Sequence, residues 1–207
     1  MSYAEFWDTL VNSTQVNCVN STNALVDFSH CTRMTGTKDI VDWPADARDN
    51  YDMTDTNTVI NAFLVGGLRA LAEMATAMGE GAKAASLTAQ ANATQASMEW
   101  LLFNATSGLM VDGLYGAEHH SAWHAQTNAL WFKTVPLAAK PKMLAWLLGR
   151  RVVGSVYAVY SFLQALYAVD SDHGVAGLAM MTQCASRSAP LLLTPSCMVH
   201  TALGHAA

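Results

Sequence analysis

The stretch Asp55-Thr-Asn57-Thr-Val-Ile60-Asn-Ala-Phe-Leu64-Val-Gly-Gly-Leu68-Arg-Ala-Leu71-Ala-Glu-Met-Ala75-Thr-Ala-Met78-Gly79 decides the fold class of this chain. Its residues Ile60, Leu64, Leu68, Leu71, Ala75 and Met78 recur at spacings of three and four, which is one face of an α-helix. Asp55, Asn57 and Thr58 offer capping side chains ahead of it, and Gly79 and Gly81 close it. Gly66-Gly67 lies within the stripe and reads as a point of close packing.

Working outward, the same pattern predicts a succession of helices. A second, Ala-rich helix over 82–103 has a weak stripe through Leu87, Ala91, Met98 and Leu102. Ser107-Gly108 turns the chain, and Leu109-Met-Val-Asp-Gly113 is a very short strand or loop edge. A third helix starts near Ser121 and ends before Pro136, a fourth covers 137–148 ahead of Gly149, and a fifth covers 155–169, with Ser155 as its N-cap. Asp170-Ser-Asp172 caps a sixth over 173–184. Helices alternating in apolar strength and joined by short loops form consecutive αα-hairpins. The chain is therefore expected to be all-α, with three hairpins in an open arc. Inner helices of such an arc are covered on all sides, which explains why the fifth carries no charge.

On either side the pattern fades. Residues 1–37 read as an irregular arm dense in Asn, Ser, Thr and Asp. After it, Lys38-Asp-Ile-Val-Asp-Trp-Pro44 reads as a short strand or extended segment ending at Trp43. Beyond Cys184 the periodicity is lost, nothing after Asp172 is acidic, and Pro190-Leu-Leu-Leu-Thr-Pro195 fits no helix. Residues 185–207 are expected to be an aberrant tail that is not native to the fold.

Composition narrows the function classes. Residues of the set AVILMFWYC make up 52% of the 207 and charged residues 13%, a balance opposite to that of a disordered chain. Eleven Lys and Arg against sixteen Asp and Glu, with no basic run, leave no electrostatic footprint for nucleic acid. The uncharged run 152–169 reaches the minimum length of a membrane span, but its Ser155, Ser161, Gln164 and three tyrosines argue for a buried helix instead. The first fifteen residues lack the basic and apolar regions of a secretory leader, so the protein is intracellular or its start lies upstream. Cys18 and Cys31 could form a bridge in an oxidising compartment. Four Asn-x-Ser/Thr triplets, at Asn12, Asn20, Asn92 and Asn104, point weakly to a secretory route.

Two clusters could carry chemistry. In the first, Asp42-Trp43-Pro44 precedes Asp46, Arg48, Asp49 and Asp52. An indole that stacks on sugar C–H groups, beside carboxylates that bind hydroxyls, suits a saccharide site; the plainer reading is a solvated loop anchored by its tryptophan. In the second, Glu118-His119-His120-Ser-Ala-Trp-His124 places His120 and His124 one helical turn apart, so that both imidazoles share a face. A third ligand at Glu118 would suit a metal, but the HExxH order is absent and no metal is expected. His120, His124, Gln126 and Asn128 are instead expected to border a cavity at the mouth of the hairpins. No glycine-rich phosphate loop or dinucleotide fingerprint occurs, so no cofactor is expected.

Taken in order, these pieces resemble one family. Ile40-Val-Asp-Trp-Pro44, Arg48-Asp49, Asn57-Thr-Val-Ile-Asn-Ala-Phe63, Leu71-Ala-Glu-Met-Ala75, Gly108-Leu-Met-Val-Asp112, His120-Ser-Ala-Trp-His-Ala125, Val153-Gly-Ser-Val-Tyr157 and Phe162-Leu-Gln-Ala-Leu166 are similar to the α-L-rhamnosidases of glycoside hydrolase family 78. The resemblance covers 38–184 and implies part of an (α/α)6 six-hairpin toroid, with a rhamnose-containing glycoside as partner. It implies an inverting hydrolase with two carboxylates, an acid and a base. The family's acid motif, an Asp-Glu-Arg stretch followed by Gly-Trp, is absent from residues 1–41, and residues 185–207 contain no glutamate for its base motif. The resemblance thus implies a catalytically incomplete fragment that keeps Trp43 as a sugar platform, with Asp42, His120 and His124 as polar neighbours. Exposed edges of the arc would favour self-association. A non-catalytic carbohydrate-binding module and a helical scaffold or membrane-associated protein are the alternatives.

Overall fold

The computed structural model describes residues 18–30, 41–43, 45–116, 120–150 and 152–169. Five α-helices carry the architecture: α1 (Thr58–Ala77), α2 (Gly81–Leu101), α3 (Trp123–Trp131), α4 (Lys140–Leu148) and α5 (Val156–Val169). Between α2 and α3 lies a two-stranded antiparallel hairpin, β1 (Phe103–Asn104) and β2 (Leu109–Met110), with Phe103 opposite Met110. The predicted sixth helix over 173–184 and the tail over 185–207 lie outside the described residues.

The ends of α1 follow the sequence signals. The Asn57 side chain accepts from the Ile60 N–H, as an N-cap should. At the other end Gly79 adopts φ 78°, with Gly79 N–H on Thr76 and Glu80 N–H on Ala75. This left-handed C-terminal turn needs a residue without a Cβ. Helix α2 then runs back along α1. The second helix stops at Leu101, two residues short of the expected end, because Phe103 leaves to pair with β2.

Helices α1 and α2 form one hairpin and α3 and α4 a second. Helix α3 touches α1, α4 and α5, so α1, α3 and α5 make an inner layer and α2 and α4 lie outside it. This is an all-α, partial (α/α)6 toroid: two hairpins and the inner helix of the next. Helix α5 spans 14 residues. Its described residues alone are fewer than the ~20 that cross a bilayer. By length and composition alone, α1 is long enough to cross; in the fold it is the inner half of the first hairpin.

The buried face of α1 is rotated from the expected one. Val59, Ala62, Val65, Leu68, Ala72 and Ala75 are buried, whereas Met78 is exposed and Ile60, Leu64 and Leu71 are half-buried. Small residues face α2 because Ala84, Leu87, Ala91 and Met98 approach there, while the larger aliphatics fill the flanks. The weak stripe read on α2 is buried as expected.

The glycine pair splits in role. A Cβ on Gly66 would lie 2.2 Å from the Phe132 ring, whereas one on Gly67 meets nothing within 4 Å. Gly66→Ala should lower stability by about 1–3 kcal/mol through overpacking. Gly67→Ala, on the exposed side of the helix, should raise it by about 0.5–1 kcal/mol through helix propensity. Urea unfolding of both variants checks the pair, and equal effects of one sign would refute the packing.

The segment expected as a strand before Pro44 is a bend over its described residues, 41–43. Val41 takes φ 58°, Trp43 N–H turns back onto the Asp42 carboxylate at 2.8 Å, and Arg48 Nε–H reaches the Asp42 carbonyl at 2.8 Å. These local bonds satisfy the backbone in place of a strand ladder. Residues 18–30 lie across α1 and α2: the Val26 N–H and carbonyl both bond the Asn61 amide, and the Ala24 carbonyl accepts from Thr94. Cys18 is disulfide-bonded. The expected Cys18–Cys31 bridge involves a residue outside the described set.

Candidate functional site

Inner helices α1, α3 and α5 begin at one end of the arc, and three carboxylates gather around the start of α3. Asp49 accepts the Trp123 N–H at 2.8 Å, Asp112 accepts the Ala122 N–H at 2.7 Å, and Asp42 bonds the His124 side chain at 3.0 Å. A helix N-terminus exposes unpaired N–H groups and positive dipole charge, so acidic side chains are stabilised there. Helix α3 is buried from Trp123 through Leu130, polar residues included.

Asp42 is the centre of this cluster. It is 6% exposed. One carboxylate oxygen accepts from Trp43 N–H and the Ser155 hydroxyl, the other from Ser155 N–H at 2.7 Å and from His124 Nε2. The carboxylate therefore ties the 41–43 bend to α3 and to the start of α5. Burial alone would raise its pKa, but hydrogen bonds from His124, Ser155 and Trp43 outweigh burial and bring it to about 2. Since an ionised carboxylate only accepts, His124 must carry its proton on Nε2; Nδ1 is buried with no partner among the described residues. Ser155 caps α5 as expected, accepting Tyr157 N–H at 3.2 Å.

The two histidines do not share a face. Helix α3 begins at Trp123, so His120 precedes it and points elsewhere. His120 Nδ1 meets Asp112 at 2.7 Å with 39% of its side chain exposed, while His124 is 1% exposed. Asp112, 1% exposed, also accepts from Asp52 N–H, and burial pushes its carboxyl above the ordinary value despite the donors around it. Gln126 and Asn128 of α3 make bonds within the fold. Gln126 bonds the Met110 N–H and carbonyl at 2.7 Å each, as a strand would, and Asn128 donates to the His124 carbonyl. No cluster of three or more His, Cys, Asp or Glu suited to a metal occurs among the described residues; Glu118 and His119 lie outside them.

Trp43 is 68% exposed on this anchored bend. Nearby in the chain fold, Arg150 bonds Asp49 at 3.1 Å and lies 4.4 Å from the Trp146 ring centre. An exposed indole on a fixed backbone, with an imidazole edge and a guanidinium at the same helix ends, is a surface suited to a polyhydroxylated ligand.

The family model for the bacterial α-L-rhamnosidase six-hairpin glycosidase domain matches residues 20–188. The chain belongs to this family. Among solved structures, the GH78 family rhamnosidase of Bacillus sp. GL1 is similar, with a TM-score of 0.62 and 16% identity over 88% of this chain and 20% of that one. At that identity the likeness shows the shared fold, and this chain spans about a fifth of that protein's length. No curated protein matches the chain. The match to the six-hairpin domain begins at residue 20, within the arm whose described part lies across α1 and α2. Asp49 and Asp112 hold the start of an inner helix of a rhamnosidase-like glycosidase domain.

Proposed function

We propose that the chain is a saccharide-binding portion of an inverting α-L-rhamnoside hydrolase, catalytically incomplete as given. The observation that carries this reading is Trp43: its indole is exposed although the adjoining Asp42 is locked to α3 and α5. A tryptophan that merely anchored the loop would be buried. Here the anchor is the carboxylate, and the ring is left free to stack on a sugar. Of the polar neighbours, His120 presents an open edge to the ligand. Asp42 and His124 act from beneath by fixing the bend.

Calorimetric titration with rhamnose and rhamnosides tests the proposal. Weak binding is expected, with Kd on the order of 1 mM for the free sugar. Trp43→Ala should weaken it at least tenfold, since ~1.5–3 kcal/mol accompanies burial of a large apolar side chain. Equal affinity in the variant, or no affinity in the parent, would overturn the reading. Partition of the chain into lipid vesicles without saccharide affinity would favour the scaffold alternative.

A further inference from the structure

Two surface turns carry a modification signal that the saccharide site does not use. Asn20-Ser-Thr22 sits in a turn in the arm, and Asn104-Ala-Thr106 runs from the last residue of β1 into the turn that joins it to β2. In both, the asparagine Oδ1 accepts the N–H of the threonine two residues on, at 2.9 Å each. Asn104 Oδ1 also accepts Ser107 N–H at 3.2 Å. Because the amide is planar, an oxygen held by the turn leaves Nδ2 on the opposite side. Ser21, Thr22, Ala105 and Thr106 are all exposed.

We propose that Asn20 and Asn104 are acceptors of N-linked oligosaccharide, and that Asn92, in a triplet of the same form, is a poor one. The reaction joins asparagine Nδ2 to C1 of an oligosaccharide carried on a polyprenyl diphosphate. The C1–O bond breaks, the lipid diphosphate leaves with the electron pair, and the amide loses a proton to the transferase. Such triplets are read through the hydroxyl at the third position together with the asparagine. Asn92 lies in the body of α2, where Thr94 is 2% exposed and its hydroxyl donates to the Ala24 carbonyl at 2.9 Å. Its signal is spent on the fold.

Two further observations point the same way. Cys18, two residues from Asn20, is disulfide-bonded, and disulfides persist in the oxidising compartments where such transfer occurs. The surface is also poor in charge, with only 13% charged residues in the chain, while Trp100 and Tyr115 are 84% and 96% exposed. Bulky hydrophilic glycans would supply solvation that the side chains lack.

The test is to direct the whole chain into the secretory route of a eukaryotic host behind a cleavable leader. Glycopeptides are then mapped from total cellular protein, so that retention inside the cell does not hide the result. Expected are glycans at Asn20 and Asn104, each removed by Asn20→Gln or Asn104→Gln and equally by Thr22→Ala or Thr106→Ala. Occupancy at Asn92 should be several-fold lower. An unmodified Asn20 or Asn104, or occupancy at Asn92 equal to that at Asn104, would overturn the assignment.

Discussion

Asp42→Ala should destabilise the domain by about 3–5 kcal/mol, the cost of removing a buried carboxylate and stranding the donors it satisfies. The stranded groups are His124 Nε2, Ser155 N–H and hydroxyl, and Trp43 N–H. Against a total stability of ~5–15 kcal/mol, that loss removes a large share of what holds the chain folded. The pH profile gives an independent check. The Asp42 carboxyl is lowered from its usual 3.8 to about 2 in the fold. A lowered acid contributes stability above its unfolded value and loses it as pH falls through the folded value. The contribution, about 2 kcal/mol, should therefore be complete above pH ~4 and fade towards pH ~2. Denaturant midpoints across that window should slope in the parent and be flatter in Asp42→Ala. A loss below about 1 kcal/mol, or an unchanged slope, would show that the cluster does not hold the bend to α3 and α5.

The helices were legible because their signals are local. Asn57 capping α1, Gly79 closing it, the buried series Leu87, Ala91 and Met98 on α2, and Ser155 starting α5 each depend on residues within a turn or two. The phase of α1 was not legible. A helix apolar over most of its circumference has no unique stripe, and the side that faces inward is chosen by what packs there. Here that is the Ala-rich face of α2, which favours small residues over Leu64 and Leu71.

Some residues of the candidate site were legible as polar or aromatic clusters, but their wiring was not. Trp43, Asp42, His120 and His124 all fall at one end of the inner layer, but the bonds that define their roles span long stretches of chain. Asp42 reaches His124 across 82 residues and Ser155 across 113. No periodicity reports such pairings. The same holds for Gln126: its polarity suggested a wet cavity, yet it completes the hydrogen bonds of Met110, 16 residues away. The helix boundary mattered most for the histidines. A start at Trp123 instead of Ser121 sends His120 to Asp112 and His124 to Asp42.

The chain as given should not hydrolyse rhamnosides at an enzymatic rate. Inversion needs a protonated acid and an ionised base facing each other across the sugar, about 6.5–9.5 Å apart. The three carboxylates around the start of α3 are already committed. Asp42 accepts from four donors and is held ionised, so it cannot supply a proton near neutrality. Asp49 accepts Trp123 N–H and pairs with Arg150. Asp112, whose raised pKa would suit an acid, is 1% exposed beneath His120 and cannot reach a leaving oxygen. Of the side chains bonded in this cluster, that leaves the exposed edge of His120 as a base, with no acid opposite it. Each acid or base group contributes typically ~10²–10⁴-fold, so the loss of both should lower turnover by about 10⁴–10⁸-fold. Two substrates separate the roles: a p-nitrophenyl α-L-rhamnoside, whose aryloxide leaves without protonation, and an alkyl rhamnoside, which needs the acid. Neither should turn over above background, although both should bind through Trp43. Activity on the aryl substrate alone, abolished by His120→Gln, would show that the base is present and only the acid is missing. Activity on both, abolished by Asp112→Asn, would show that Asp112 becomes accessible when substrate binds and that the chain is an enzyme in its own right.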